Sequence, residues 1–211
     1  MSKIFKSFMS MVITAILLAS LTAIASAQTP PGYVHEEEIL VYNCNLKVPN
    51  PLLFPPYLFD SNEDISITIE ADVPAQVAPG EEFDIHNAKA TVRVPANVVQ
   101  TLRGILGWNS IQGVVSKFEV HSVNQTNTID VASTPIPIPA TPVPTTGDLE
   151  FTVPDSGLTV GKFTAGQSGV VTLKGGNINA TFEKEGGSTL KILADCTPPA
   201  NNNLVDIPIV P

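Results

Sequence analysis

The chain has 211 residues, with 11 Lys and Arg against 20 Asp and Glu, a formal charge of -9, 19 Pro and 14 Gly. That acidity argues against nucleic acid or anionic lipid as the main partner, because both need clustered Lys and Arg. Many Val, Ile and Thr punctuated by Pro and Gly make a vocabulary of strands and turns, so the expected fold class is all-β.

The N-terminus reads as a secretory signal peptide over residues 1–27. Lys3 and Lys6 give a positive start, Val12 to Ala19 is an apolar run, and Ala25-Ser26-Ala27 supplies the small residues of a cleavage site. The run is short for a bilayer span, which needs about 20 apolar residues. Cleavage after Ala27 is therefore expected. It leaves residues 28–211, and the loss of Lys3 and Lys6 takes the formal charge from -9 to -11. The expected location is outside the cell, free or held at its surface, with no transmembrane anchor once the signal is removed.

Cys44 and Cys196 are the only cysteines. In an exported chain such a pair is expected to form one disulfide. The alternatives are two free thiols or a metal pair, and two sulfurs with no nearby His pair make a poor zinc site. A bridge would make the first and last strands neighbours.

Taken in chain order, Glu38 to Lys47 predicts the first strand. A Pro-rich apolar stretch follows, including Leu53, Phe54, Tyr57 and Phe59, and then an acidic turn from Asp60 to Asp64. Ile65 to Ala71 alternates as a half-buried strand. Glu82 to Val94 is the next strand, and its phase shift at His86-Asn87 predicts a bulge. A helix is expected over 97–106. Asn97 is its cap, Val98, Val99, Leu102, Ile105 and Leu106 form its apolar face, and Gly107 is its stop. Ile111 to Val123 returns to strand.

Residues 134–146 carry Pro at intervals that forbid a central strand and favour an extended edge or a surface crossover. Strands are then predicted at Leu149–Val153, Gly169–Leu173, Asn177–Glu183 and Thr189–Ala194, with turns at Gly175-Gly176 and Gly186-Gly187. Leu204 to Val210 reads as a last edge strand or a tail. The architecture expected is an immunoglobulin-like β-sandwich of about 8 to 11 strands with one short helix. It fills residues 28–211 as one unit, the alternative being two halves, 28–133 and 147–211, joined by 134–146.

Five stretches carry a family resemblance: Tyr42-Asn43-Cys44, Ile67-Thr68-Ile69 with Asp72-Val73-Pro74, Pro95-Ala96-Asn97-Val98-Val99, Thr141-Pro142-Val143-Pro144, and Ala194-Asp195-Cys196. In this order they resemble a family of exported bacterial β-sandwich proteins of unassigned function. The resemblance covers nearly all of the chain after residue 27. It implies export, an immunoglobulin-like sandwich and a Cys44–Cys196 bridge, and it carries no catalytic residues.

No G-x-S-x-G elbow, H-x-H or H-E-x-x-H motif is present. His86 and His121 are the acid–base candidates, and surface or structural roles are the simpler reading of both. Asp60, Asn62 and Asp64 begin like a calcium loop, but Ile65 stands where an EF-hand needs Gly and Ala71 where it needs Glu. Leu53, Phe54, Tyr57, Phe59 and Trp108 are the candidate binding patch. No cofactor is expected. The function expected is a non-enzymatic surface or extracellular protein, structural or adhesive, binding protein or envelope polymer. The alternative is a carrier of a small hydrophobic ligand; a hydrolase comes last.

Overall fold

The computed structural model describes residues 29–49, 57–124 and 128–211, so the expected signal segment and Leu53 and Phe54 lie outside the described residues. Ten strands and one helix follow in order: β1 Tyr33–Pro49, β2 Tyr57–Pro74, β3 Glu82–Val94, α1 Ala96–Gly104, β4 Ser110–Val123, β5 Thr128–Asp130, β6 Ile136–Pro142, β7 Leu149–Thr164, β8 Gly169–Lys184, β9 Ile192–Thr197 and β10 Asn203–Ile209. The fold is all-β with one short helix.

Period-two alternation builds the strands. In β1, Leu40, Tyr42, Cys44, Leu46 and Val48 are buried while Ile39 and Val41 face out. In β9, Ile192, Ala194 and Cys196 turn inward in the same way. All ladders between named strands are antiparallel, and the strands join in the order β5-β4-β8-β9-β1-β2-β3-β7. β6 lies along β4 beside β5, and β10 lies along β8 beside β9.

Strands from both sides of residues 134–146 interleave: β7 pairs with β3, β8 with β4, and β9 with β1. The sheet folds over itself, and its inward faces form two core clusters. One gathers Tyr42, Leu46, Ile67, Phe151 and Ile192 with the helix residues Val98, Val99 and Leu102. The other, toward the far ends of the strands, gathers Val73, Phe83, Ile85, Phe163, Leu173 and Ile207.

Cys44 stands directly opposite Cys196 in the β1–β9 ladder, and the two form a disulfide. It ties a strand near the start of the folded chain to one near its end. β6 is an edge strand that pairs only with β4, as its prolines require. Its Ile136 and Ile138, with Val143 just beyond, are buried.

Three local expectations change. The acidic stretch 60–64 is strand within β2, because it pairs residue by residue with Asn43 to Lys47 of β1. Gly175-Gly176 lies within β8 and makes no turn. A Cβ at Gly175 would come within 2.5 Å of the Tyr42 hydroxyl, and one at Gly176 within 2.5 Å of His121 Nε2, so the pair gives room to side chains of neighbouring strands. Gly186-Gly187 does make a turn, with positive φ at both residues.

The helix is preceded by Pro95, which has no side-chain cap bond, and Asn97 Nδ2 donates instead to Glu63 at 2.8 Å. Its end follows the expectation. Gly107 is left-handed at φ 66°, and the Trp108 amide turns back to the Leu102 carbonyl at 3.0 Å.

Candidate ligand cavity

Where the two core clusters meet, several side chains point inward and are only partly buried. Phe118, Val131, Leu158 and Leu204 pack against both clusters. Between them lies a cavity of about 160 Å³, walled almost entirely by apolar side chains. One wall is β2 and β3, through Ile69, Ala71, Ala88, Ala90 and Val92; Leu158 of β7 continues it, and Phe118 of β4 and Leu204 of β10 also line the space.

The sequence explains the room. Where β2 and β3 could repeat Ile or Val, they place Ala71, Ala88 and Ala90, and small side chains leave the interior unfilled. An apolar space of about 150 Å³ is large enough to stay dry and admit a benzene ring. Only Glu36 and Lys89 bring charge to the lining.

The wall has a defined shape because β3 is bulged. Its register against β7 shifts between Ile85 and Ala88, where the sequence predicted a bulge, and Asn87 is left-handed at φ 53°. Gly157 of β7 makes this fit, since a Cβ there would stand 2.5 Å from Asn87 Cα.

On the outer face of the same wall, Asp72 holds the bulge in place. It is 1% exposed, accepts from Asn87 Nδ2 at 2.5 Å and from Thr29 Oγ1 at 3.2 Å, and lies 3.0 Å from His35 Nδ1. Burial alone would raise its pKa. The hydrogen bonds from Asn87, His35 and Thr29 outweigh that and hold the carboxyl below its ordinary value. His35 Nε2 also lies 3.6 Å from Glu70, whose other oxygen takes Lys89 Nζ at 2.9 Å. Thr29 donates its hydroxyl proton to Asp72, and the group braces the β1–β2–β3 surface.

This cluster was missed by sequence reading, which placed Asp72 beside a turn-rich connection. The cue was available: Asp72 lies one position beyond an alternating apolar strand, across from the predicted bulge.

Among the described residues, the expected apolar patch and calcium loop do not form one site, and Leu53 and Phe54 lie outside those residues. Tyr57 is exposed and Phe59 half-buried at the start of β2. Trp108, expected on the same surface, is 2% exposed and packed in the core with the helix, so it forms no part of an outer patch. Asp60, Asn62 and Asp64 alternate along a strand. Their side chains accept from an Asn ladder on β1: Asn45 to Asp60 and Asn62, and Asn43 to Asp64, each at 3.1 Å. A straight strand spaces these oxygens out where a calcium loop would converge them. Among the described residues no group of three or more His, Cys, Asp or Glu could hold a metal ion.

β3 and β4 are not neighbours in the sheet, so His86 and His121 do not face each other across a ladder. His86 Nδ1 lies 3.3 Å from Thr159 Oγ1, and its ring rests on Tyr33 with centroids 5.0 Å apart. Tyr42 is fully buried, its hydroxyl has no hydrogen-bond partner among the described residues, and burial pushes its pKa up to about 12. A second hollow of about 420 Å³, beside Tyr33, Glu81, Asp84 and Lys162, is polar and unlike the interior cavity.

A model of a family of unknown function, DUF6801, matches residues 41–205. The chain belongs to the DUF6801 family. The match runs from Val41 in β1 into β10, so the DUF6801 unit includes both cysteines and every residue lining the cavity except Glu36. No curated protein and no solved structure matches the chain. Among the described residues no helix is long and apolar enough to cross a membrane.

Proposed function

We propose that this DUF6801 protein is an exported, non-enzymatic binding protein, an immunoglobulin-like sandwich that carries a small apolar molecule in its interior. One observation supports this above the rest: the cavity of about 160 Å³ with an almost wholly apolar wall. Burying an apolar ligand there gains about 0.8 kcal/mol per CH2 group, and closely packed interiors have few voids larger than a water molecule. The apolar leader of residues 1–27 and the Cys44–Cys196 disulfide support export. No nucleic acid, metal or cofactor enters the reading.

A second reading, a structural or adhesive protein that binds other proteins or envelope polymer, draws on β1. Ile39 and Val41 are 58% and 52% exposed on its outer face. Isolated exposed apolar residues are common, however, and the patch is small.

Native mass spectrometry of protein recovered from culture medium separates the readings. The carrier reading expects Gln28 to Pro211 with one disulfide, plus an organic mass released on denaturation. A bare protein that also takes up no apolar probe overturns it, and a ladder of bare oligomers favours adhesion.

A further inference from the structure

We infer that the ligand of this cavity is a small cationic amphiphile, with an apolar body of about six carbons inside and an ammonium group at Glu36. The inference rests on the carrier reading and adds the ligand's charge. Of the two charged residues lining the cavity, Lys89 is committed to Glu70 at 2.9 Å. The Glu36 carboxylate has no ion pair or side-chain hydrogen bond among the described residues, so it is the one uncompensated charge on the lining. Glu37 and Glu38 beside it are exposed as well, and the whole chain is acidic. This negative lip attracts a cation and repels a carboxylate.

The topology gives an entrance at the same place. β1 pairs with β2 along its whole length, but with β9 only from Asn43 to Lys47. From Tyr33 to Tyr42 its second edge carries no strand ladder, and β10, the next strand on that side, makes its ladder with β8 and is bonded to Val77 near its end through Pro208 and Val210. Glu36 on β1 and Leu204 on β10 both line the cavity, so the interior is reached between these strands without breaking a ladder. An apolar tail entering there leaves its head beside Glu36. The size follows from the volume, which is close to that of a cavity that admits benzene.

The test is an NMR titration of the secreted, oxidised protein with hexylammonium, hexanol and hexanoate at neutral pH and low salt. All three should shift the signals of Ile69, Leu158 and Leu204. Hexylammonium should bind about threefold more tightly than hexanol, the scale of a solvent-exposed ion pair, and hexanoate most weakly. Added salt should erase the difference. Glu36→Gln should bring hexylammonium down to hexanol and leave hexanol unchanged, while Glu37→Gln, on the opposite face of β1, should preserve the preference. Equal binding of hexylammonium and hexanol to the unaltered protein, or a preference that survives Glu36→Gln, overturns the inference and leaves the carrier reading standing. Binding of none of the three overturns the carrier reading itself.

Discussion

Removing the Cys44–Cys196 bridge should cost this protein about 3 to 5 kcal/mol. The bridge spans 152 residues of chain, and the chain-entropy relation for a loop of that length gives about 5 kcal/mol at 25 °C. The native state should hold without the bridge, because β1 and β9 stay in register through five residue pairs from Asn43 to Lys47 and β9 is also paired to β8. Residual structure in the reduced denatured chain lowers the loss. The perturbation is the Cys44→Ala, Cys196→Ala double substitution, checked against chemical reduction of the unaltered protein. Trp108, the only Trp and 2% exposed, reports unfolding through its fluorescence. With a urea slope of about 2 kcal/mol per molar, the midpoint should fall by roughly 1.5 to 2.5 M. An unchanged midpoint at an unchanged slope would refute the reasoning, because it would mean that the bridge does not restrict the unfolded chain.

The bulge brace supports further predictions. Asp72→Ala strands the donors of Asn87 and Thr29 and should destabilise by about 3 kcal/mol in urea unfolding; a loss below about 1 kcal/mol would remove Asp72 from the account. Because the native pKa of Asp72 lies below its unfolded value, its stabilisation is complete above about pH 4 and is lost as pH falls through the native value. Asp72→Asn should therefore flatten the acid limb of the stability–pH curve, and an identical limb in both proteins would contradict this. Gly157→Ala places a methyl group 2.5 Å from Asn87 Cα and should cost about 1 to 3 kcal/mol, read from the thermal midpoint. A neutral result would mean that β3 and β7 separate there without penalty.

Much of the fold was legible because it depends on local pattern. The alternation of Ile65, Ile67 and Ile69 marked β2, the phase slip at His86-Asn87 marked the bulge, and the helix stop at Gly107 followed from its backbone freedom. The cysteine pair foretold that β1 and β9 are neighbours.

What failed depended on partners distant in sequence. Gly175-Gly176 has the composition of a turn, yet it stays in β8 because Tyr42 and His121 need the space above it. Asp60 to Asp64 looks like a loop, yet Asn43 and Asn45 across the ladder satisfy its side chains and keep it extended. Trp108 could be read as a surface anchor until the Gly107 turn placed it under the helix.

The cavity left the faintest trace. Three alanines in two strands mean little until the fold sets them opposite Phe118 and Leu204. Glu36 looks like one charge in a solvated run, and it gains a role only through the missing ladder on one side of β1.

The central claim is that the space between the two cores is a real, accessible apolar site. Crystals of the oxidised protein held under xenon test it most directly, since xenon enters dry apolar cavities of this size. The account predicts xenon density among Ile69, Ala90, Phe118 and Leu158. An interior closed by those side chains, with no xenon between the cores, would contradict it.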